Sequence, residues 1–184
     1  MNPFTSGTFL LLASAALSLF SLIGGIWGYA AGHRTVQESA RRAIIGIAVL
    51  LTLASLLLVT AFMLDRFELE YIAYNSNQSI YKFSAFWGSL DGSMLLWAWL
   101  LATFGGWAMV RHKRSDPNLL PLVAGVFGGV LLFFTGTILA TTNPFDLLRG
   151  PNGQAFVPPD GLGLNPLLQN PGMIFHPPTL YLGF

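Results

Sequence analysis

The chain has no cysteine, so disulfides, thiolate metal ligands and thiol exchange lie outside its own chemistry. Charge is nearly as scarce. Asp, Glu, Lys and Arg make up 9% of the 184 residues, against roughly 25% in a soluble domain. Histidine occurs three times, and the net charge is +1, with no basic stripe of the kind nucleic acid requires. No fixed-period repeat, low-complexity tract, phosphate loop, zinc-type ligand spacing or nucleophile elbow is present. What fills the chain instead is apolar: hydrophobic residues reach 53%. The sequence is that of an integral membrane protein.

Four segments are long enough to span a hydrocarbon core of about 30 Å, which takes about 20 helical residues. They run over Thr8–Ala31, Ala43–Leu64, Met94–Val110 (extending back toward Leu90) and Leu119–Thr141. The first lacks the basic start of a signal peptide and is too long for one, so it reads as a retained helix. A fifth helix begins near Pro177. The expected fold class is therefore all-α, a polytopic membrane bundle of four complete spans plus the start of a fifth, forming one membrane domain.

The basic residues give an orientation. Arg34, Arg41 and Arg42 lie between the first two spans, and Arg111, Lys113 and Arg114 between the third and fourth. The other side has Arg66, Lys82 and Arg149, together with six of the eight acidic residues: Asp65, Glu68, Glu70, Asp91, Asp146 and Asp160. By the positive-inside rule both basic connections are cytoplasmic and the N-terminus starts outside. Those connections read as plain turns of about 8 to 11 residues. The outer segments, about 65–93 and 142–175, are much longer than such turns and are where function is expected. The first is aromatic, and its Phe67-Glu68-Leu69-Glu70-Tyr71 alternation suits a short strand or an amphipathic surface segment. The second is rich in Pro and Gly and reads as irregular.

One outer histidine stands out. His176 precedes Pro177 and Pro178; a residue before proline is pushed toward extended backbone, and proline suits the first helical turn. His176 is thus expected just outside a helix starting at Pro177 or Pro178, its ring held near the helix mouth. A fixed imidazole suits metal ligation, and equally a rigid boundary residue with no ligand. His33 and His112 sit among cytoplasmic basic residues and read as solvated. Asp91, at the outer mouth of the third span, is either a functional carboxylate or, with Ser93, a helix cap. Trp97, Trp99 and Trp107 do not share one face, which suits packing or interface anchoring, with a haem or quinone surface as the alternative. Gly24-xxx-Gly28-xxx-Gly32 and Gly125-xxx-Gly129 are close-packing patterns.

Two long blocks carry a resemblance. The run from Asp160 to Gly183, with Leu164-Asn165-Pro166-Leu167-Leu168-Gln169 and His176-Pro177-Pro178-Thr179-Leu180-Tyr181-Leu182-Gly183, resembles the "LNPLLQ … HPP-x-LY-x-G" of the CcmF family. Tyr71 to Asn77, Tyr81 to Gly88 and Gly92 to Trp97 resemble the same family's "YVA-x-x-SN … YK-x-x-A-x-WG-x-x-x-GS-x-LLW". These are haem lyase subunits of the cytochrome c maturation system. A related subfamily, which attaches haem to a nitrite reductase, fits almost as well.

The resemblance implies a haem b held at the outer face, with His176 as its axial iron ligand and Pro177, Pro178, Trp87 and Asp91 near the site. It also implies haem delivery by a CcmE-like chaperone, a CcmH-like subunit presenting apocytochrome c, and attachment of haem to the thiols of a Cys-x-x-Cys-His motif. A chain without cysteine fits, since those thiols belong to the substrate. The implied location is the bacterial inner membrane, multi-pass, in contact with lipid and with its functional loops on the periplasmic face. Leu90-Asp91 stands where many members have His-Glu, and the family's WG-x-x-W-x-WD motif and further haem ligands are missing. An N-terminal part of a longer protein is expected, with no catalytic residue identified and the piece by itself inactive. The reading from a different class is a non-catalytic subunit of a transporter or respiratory complex.

Overall fold

The computed structural model describes residues 3–76, 81–114 and 116–183. Asn77, which ends the Tyr71 to Asn77 motif, and the terminal Phe184 lie outside them. Among the described residues seven α-helices follow in order: α1 (Pro3–Ala31), α2 (Arg34–Met63), α3 (Glu70–Asn75), α4 (Lys82–Ala85), α5 (Leu90–Arg111), α6 (Leu120–Thr141) and α7 (Gly172–Gly183), with a 3-10 turn at Pro166–Leu168 before the last. Among the described residues the only β pairing is two isolated bridges. The helices α1, α2, α5 and α6 are long and apolar enough to cross a bilayer. The fold is an all-α polytopic bundle.

The helices outrun their apolar stretches. α2 starts at Arg34, so the first basic connection is only the Gly32–His33 turn and not the longer loop expected. Gly32 takes a positive φ of 68° there, which glycine adopts without penalty. Arg34, Gln37, Glu38, Ala40, Arg41 and Arg42 are good helix formers, and Glu38 binds Arg41 three residues on and Arg42 four on, as helical spacing allows. Hydropathy marks where the membrane lies, and helical hydrogen bonding continues past it. For the same reason α5 begins at Leu90 and α1 at Pro3. At the far end of α2, Asp65 adopts a left-handed φ of 52°, and Lys82 donates to its carboxylate at 2.6 Å. That ion pair joins the end of α2 to the start of α4.

Small residues set the helix spacing. In a bilayer, helix association depends on close packing and interhelical hydrogen bonds rather than on expelling water. A Cβ on Gly25 would lie 2.5 Å from the Pro121 carbonyl, and one on Gly128 would lie 2.6 Å from the Leu22 nitrogen. Between these contacts the buried Ser21 hydroxyl is within reach of the carbonyls of Ala40 at 3.1 Å and Ala124 at 3.0 Å, so it links α1 to both α2 and α6. Gly24 and Gly28, read from the sequence as a packing seam, do pack, but against Val36 and Gln37 of α2. The seam with α6 runs through Gly25, Gly125 and Gly128, where the bare backbones meet.

The outer segments form a layer over one end of the bundle. The Phe67–Tyr71 alternation is real: Phe67, Leu69 and Tyr71 are buried. It serves a single antiparallel bridge, Leu69 to Leu147, flanked by bonds from the Glu70 N–H to Asp146 and from the Leu148 N–H to Glu68. Beyond it the chain turns into α3. The second segment is irregular yet ordered. Phe145 is fully buried against Gly7 of α1. Leu162 and Gly163 donate their N–H groups to Ala73 and Ser76 at the C-terminal end of α3, whose carbonyls have no helical partner.

Gly25→Leu should destabilise the bundle by about 1–3 kcal/mol or more, because the clash is with backbone. Gly136→Ala, where nothing lies within 4 Å of the added carbon, should be neutral or stabilising by up to about 1 kcal/mol. Unfolding of both variants in mixed micelles checks the contrast.

Candidate functional site

The helix carrying His176 starts earlier than the sequence suggests. α7 begins at Gly172, and His176, Pro177 and Pro178 all lie inside it. Its first turn is built by 3-10-type bonds from the Met173 N–H to Asn170 and the Ile174 N–H to Pro171. The pre-proline preference at His176 is a bias, and this nucleus outweighs it. Proline inside a helix leaves the carbonyl four residues back without its donor and crowds it. For Pro177 that carbonyl belongs to Met173. Trp87 supplies the replacement: its indole Nε1 donates to the Met173 oxygen at 2.7 Å. The Trp87 ring is only 6% exposed, so its N–H needs a partner as much as the carbonyl needs a donor. Thr179 backs up the same turn by donating its hydroxyl to Phe175 at 2.8 Å.

Trp87 is seated from several sides. Phe83 and Phe86 meet its ring edge-on, with centroids at 5.1 and 6.0 Å. Beside it, Gly88 leaves room for the buried Leu164 of the second outer segment, whose carbonyl accepts from the Gln169 amide at 2.6 Å. The Ser93 hydroxyl donates to the Trp87 carbonyl at 3.0 Å. A Cβ on Gly92 would collide with the Phe86 carbonyl, so the glycine before Ser93 is sterically required. The Trp-Gly and Gly-Ser elements of the motif thus have direct structural reasons.

Asp91 has a different setting from the one expected. The N-cap of α5 is Ser89, without a side-chain cap bond, and Asp91 lies in the first helical turn. It does not cap, nor does Ser93. Its carboxylate is half-buried at the end of the bundle that carries α7, within the electrostatic reach of Glu70 and Asp146. Next to it, the Tyr71 hydroxyl is buried and lies 3.0 Å from the Ala85 carbonyl and 3.1 Å from that of Phe86. Burial, reinforced by the Asp91 charge, pushes the Tyr71 phenol above its ordinary range, so it remains a donor.

α7 has two unlike faces. Ile174, Pro178 and Leu182 line an apolar groove of about 550 Å³, closed on the other side by Val59, Leu96 and Trp99. The volume is in the range of ligand pockets, and the Ser55 hydroxyl on its wall makes no hydrogen bond among the described residues. His176 is not part of this lining. Two residues are about 200° apart around a helix, so His176 lies on the opposite side from Ile174. The imidazole is exposed and makes no hydrogen bond or ion pair among the described residues. Of the sequence-derived residues, the structure joins Trp87 to α7 through Met173, sets Pro178 in the groove wall, and leaves Asp91 with the Tyr71 group.

The three tryptophans of α5 diverge as their spacing implies. Trp97 packs edge-on against Tyr181 of α7 at 5.3 Å. Trp99 donates its N–H to Thr52 at 2.9 Å, and Trp107 is exposed. His33 is exposed and stacks on Trp27, while His112 is exposed and lies 3.7 Å from Asp116. The backbone contacts at Met173 and Leu164 could not be foreseen from the sequence. Only the proline four residues after Met173 hinted that its carbonyl would seek another donor.

The family model described as "Cytochrome C assembly protein" matches residues 87–184, a stretch that starts at Trp87 and contains Asp91, His176, Pro177 and Pro178. The chain belongs to the cytochrome c assembly protein family. It is 36% identical over 183 residues to "Cytochrome c-type biogenesis protein CcmF" of Haemophilus influenzae, 35% identical over 181 residues to the protein of that name in Escherichia coli, and 32% identical over 182 residues to "Cytochrome c-type biogenesis protein NrfE" of Haemophilus influenzae. Each alignment covers 97% of this chain. The chain spans 27% of the length of the two CcmF relatives and 28% of the NrfE relative. The solved structure of "Cytochrome c Heme Lyase CcmF" superposes with a TM-score of 0.74 at 27% identity, covering 82% of this chain and 26% of that one. This member of the assembly family thus shares the CcmF-type bundle, with α7 docked on it by Trp87.

Trp87→Phe removes the N–H together with the pyrrole half of the indole, so it should cost about 1–3 kcal/mol for the unsatisfied buried carbonyl in addition to the lost packing. Pro177→Ala restores a helical donor to Met173, so in that background the Trp87→Phe cost should fall toward the packing loss alone. Unfolding measurements on the two single variants and the double variant test the coupling.

Proposed function

We propose that this chain forms part of a membrane haem lyase of cytochrome c maturation, and that His176 is the axial ligand it offers to haem iron at the outer face. The observation that carries the reading is the exposed, unpaired imidazole on a helix fixed to the bundle by Trp87. Membership of the cytochrome c assembly family supplies the chemical context. A neutral imidazole suits iron, and an exposed Leu180 one turn further on gives the same side of α7 an apolar surface for a flat macrocycle.

The residues fit one side of a haem b. Haem held there would supply vinyl groups, to which thiol S–H bonds could add as thioethers form. The chain's own task is positional: α7 holds one ligand nitrogen at a fixed point outside the bundle, so that the thiols of an apocytochrome Cys-x-x-Cys-His motif meet a held partner. The partners in this reading are a CcmE-like haem chaperone, a CcmH-like subunit and apocytochrome c. The location is the bacterial inner membrane, with α7 and both outer segments on the periplasmic side, as the Arg and Lys bias supports.

His176→Ala in the full chain should lower the haem that co-purifies by at least tenfold, since loss of even an outer-shell partner of a metal ligand costs about 10–100-fold. Added imidazole should restore haem to His176→Gly, which leaves a space for it. Haem absorbance and holocytochrome c yield are the readouts. Unchanged haem content in both variants would leave the His-Pro-Pro element an architectural one.

A further inference from the structure

We infer that the basic end of the bundle, opposite α7, carries a site for the phosphodiester headgroup of an acidic phospholipid. A cavity of about 320 Å³ opens there among the first turns of α2, the chain leading into α6 and the residues just after α5. Its polar lining comes from Arg34, Gln37, Glu38, Arg41, Lys113 and Asn118. Three of these are cations and one is an anion, so the cavity is left with a surplus positive charge.

The arrangement is fixed before any ligand arrives. Arg41 is buried; its Nη1 donates to the Met109 carbonyl at 2.8 Å, and its Nε and Nη2 donate to Glu38 at 3.0 and 2.6 Å. Glu38 also meets Arg42 at 3.2 Å and Lys113 at 3.4 Å, so one carboxylate is shared by three cations. Arg34 is exposed and makes no hydrogen bond or ion pair among the described residues. The cavity also adjoins the N-terminal ends of α2 and α6, neither capped by a side chain, and their dipoles favour an anion.

Depth favours a lipid over a free ion. Leu120 and Pro121 form part of the wall, and Leu120 is where the α6 span begins. A ligand in this cavity therefore sits at the level where charged headgroup meets apolar chain. Basic pockets between helices at that level suit acidic phospholipid headgroups.

The test uses the full chain purified from bilayers of phosphatidylcholine and phosphatidylglycerol into neutral detergent, with retained lipid identified by native mass spectrometry. Phosphatidylglycerol should be retained over phosphatidylcholine. Arg34→Gln with Lys113→Gln should reduce retention by about fivefold for each cation removed. Arg111→Gln with Arg114→Gln, which removes the same charge outside the lining, should leave retention intact. So should Arg34→Lys with Lys113→Arg, which keeps both charges if the glutamine pair fails to fold. Equal losses in the two glutamine pairs would reduce the effect to diffuse charge and overturn the site. Equal retention of both lipids, or displacement of phosphatidylglycerol by millimolar inorganic phosphate, would overturn the lipid assignment.

Discussion

The position of α7 depends on one hydrogen bond that a proline makes necessary. Pro177 cannot donate to the Met173 carbonyl, and the buried indole of Trp87 does so instead at 2.7 Å. Each group would be unsatisfied without the other, so the bond gives a definite register between the first outer segment and the last helix. A continuous helix without proline would have met its own needs and could have settled on the bundle in several ways. The outer layer is organised around this contact. Leu164 fills the space beside Gly88, the 160s segment caps α3, and Gly92 lets α5 begin directly beneath Phe86.

Most of the bundle was legible in the sequence because membrane spans declare themselves by length and composition. All four crossed the helical threshold, and the divergence of Trp97, Trp99 and Trp107 followed from spacing alone. Their ends were less legible. Arg34 to Arg42 read as a loop because charge was taken to end the helix as well as the apolar stretch. The Gly24 pattern does mark close packing, but the bare-backbone meeting with α6 falls to Gly25. A small-residue motif shows that some face packs closely, while the partner depends on helix rotation.

The candidate site was half legible. His176 and its prolines marked a rigid imidazole, and the two motif blocks linked it to haem. The helix start at Gly172 was not foreseen, because the bonds that nucleate it come from Asn170 and Pro171 upstream. Trp87, expected near a ligand from the resemblance, has a structural task that the sequence did not announce: it seats the helix. Asp91, read as a functional carboxylate or a cap, sits two residues past the N-cap Ser89 and does not cap. In each case the residue type was informative, and the backbone atom it serves lies far off in sequence.

The central claim is that α7 presents His176 outward, away from the groove lined by Ile174. These 184 residues hold no cysteine, so an introduced thiol has no competitor among them. His176→Cys and Ile174→Cys would be compared for labelling by a membrane-impermeant maleimide applied to intact spheroplasts. Rapid labelling at 176 with protection at 174, and loss of that protection on adding Trp87→Phe, is the result predicted. Protection at 176 with ready labelling at 174 would mean that the helix is seated the other way round.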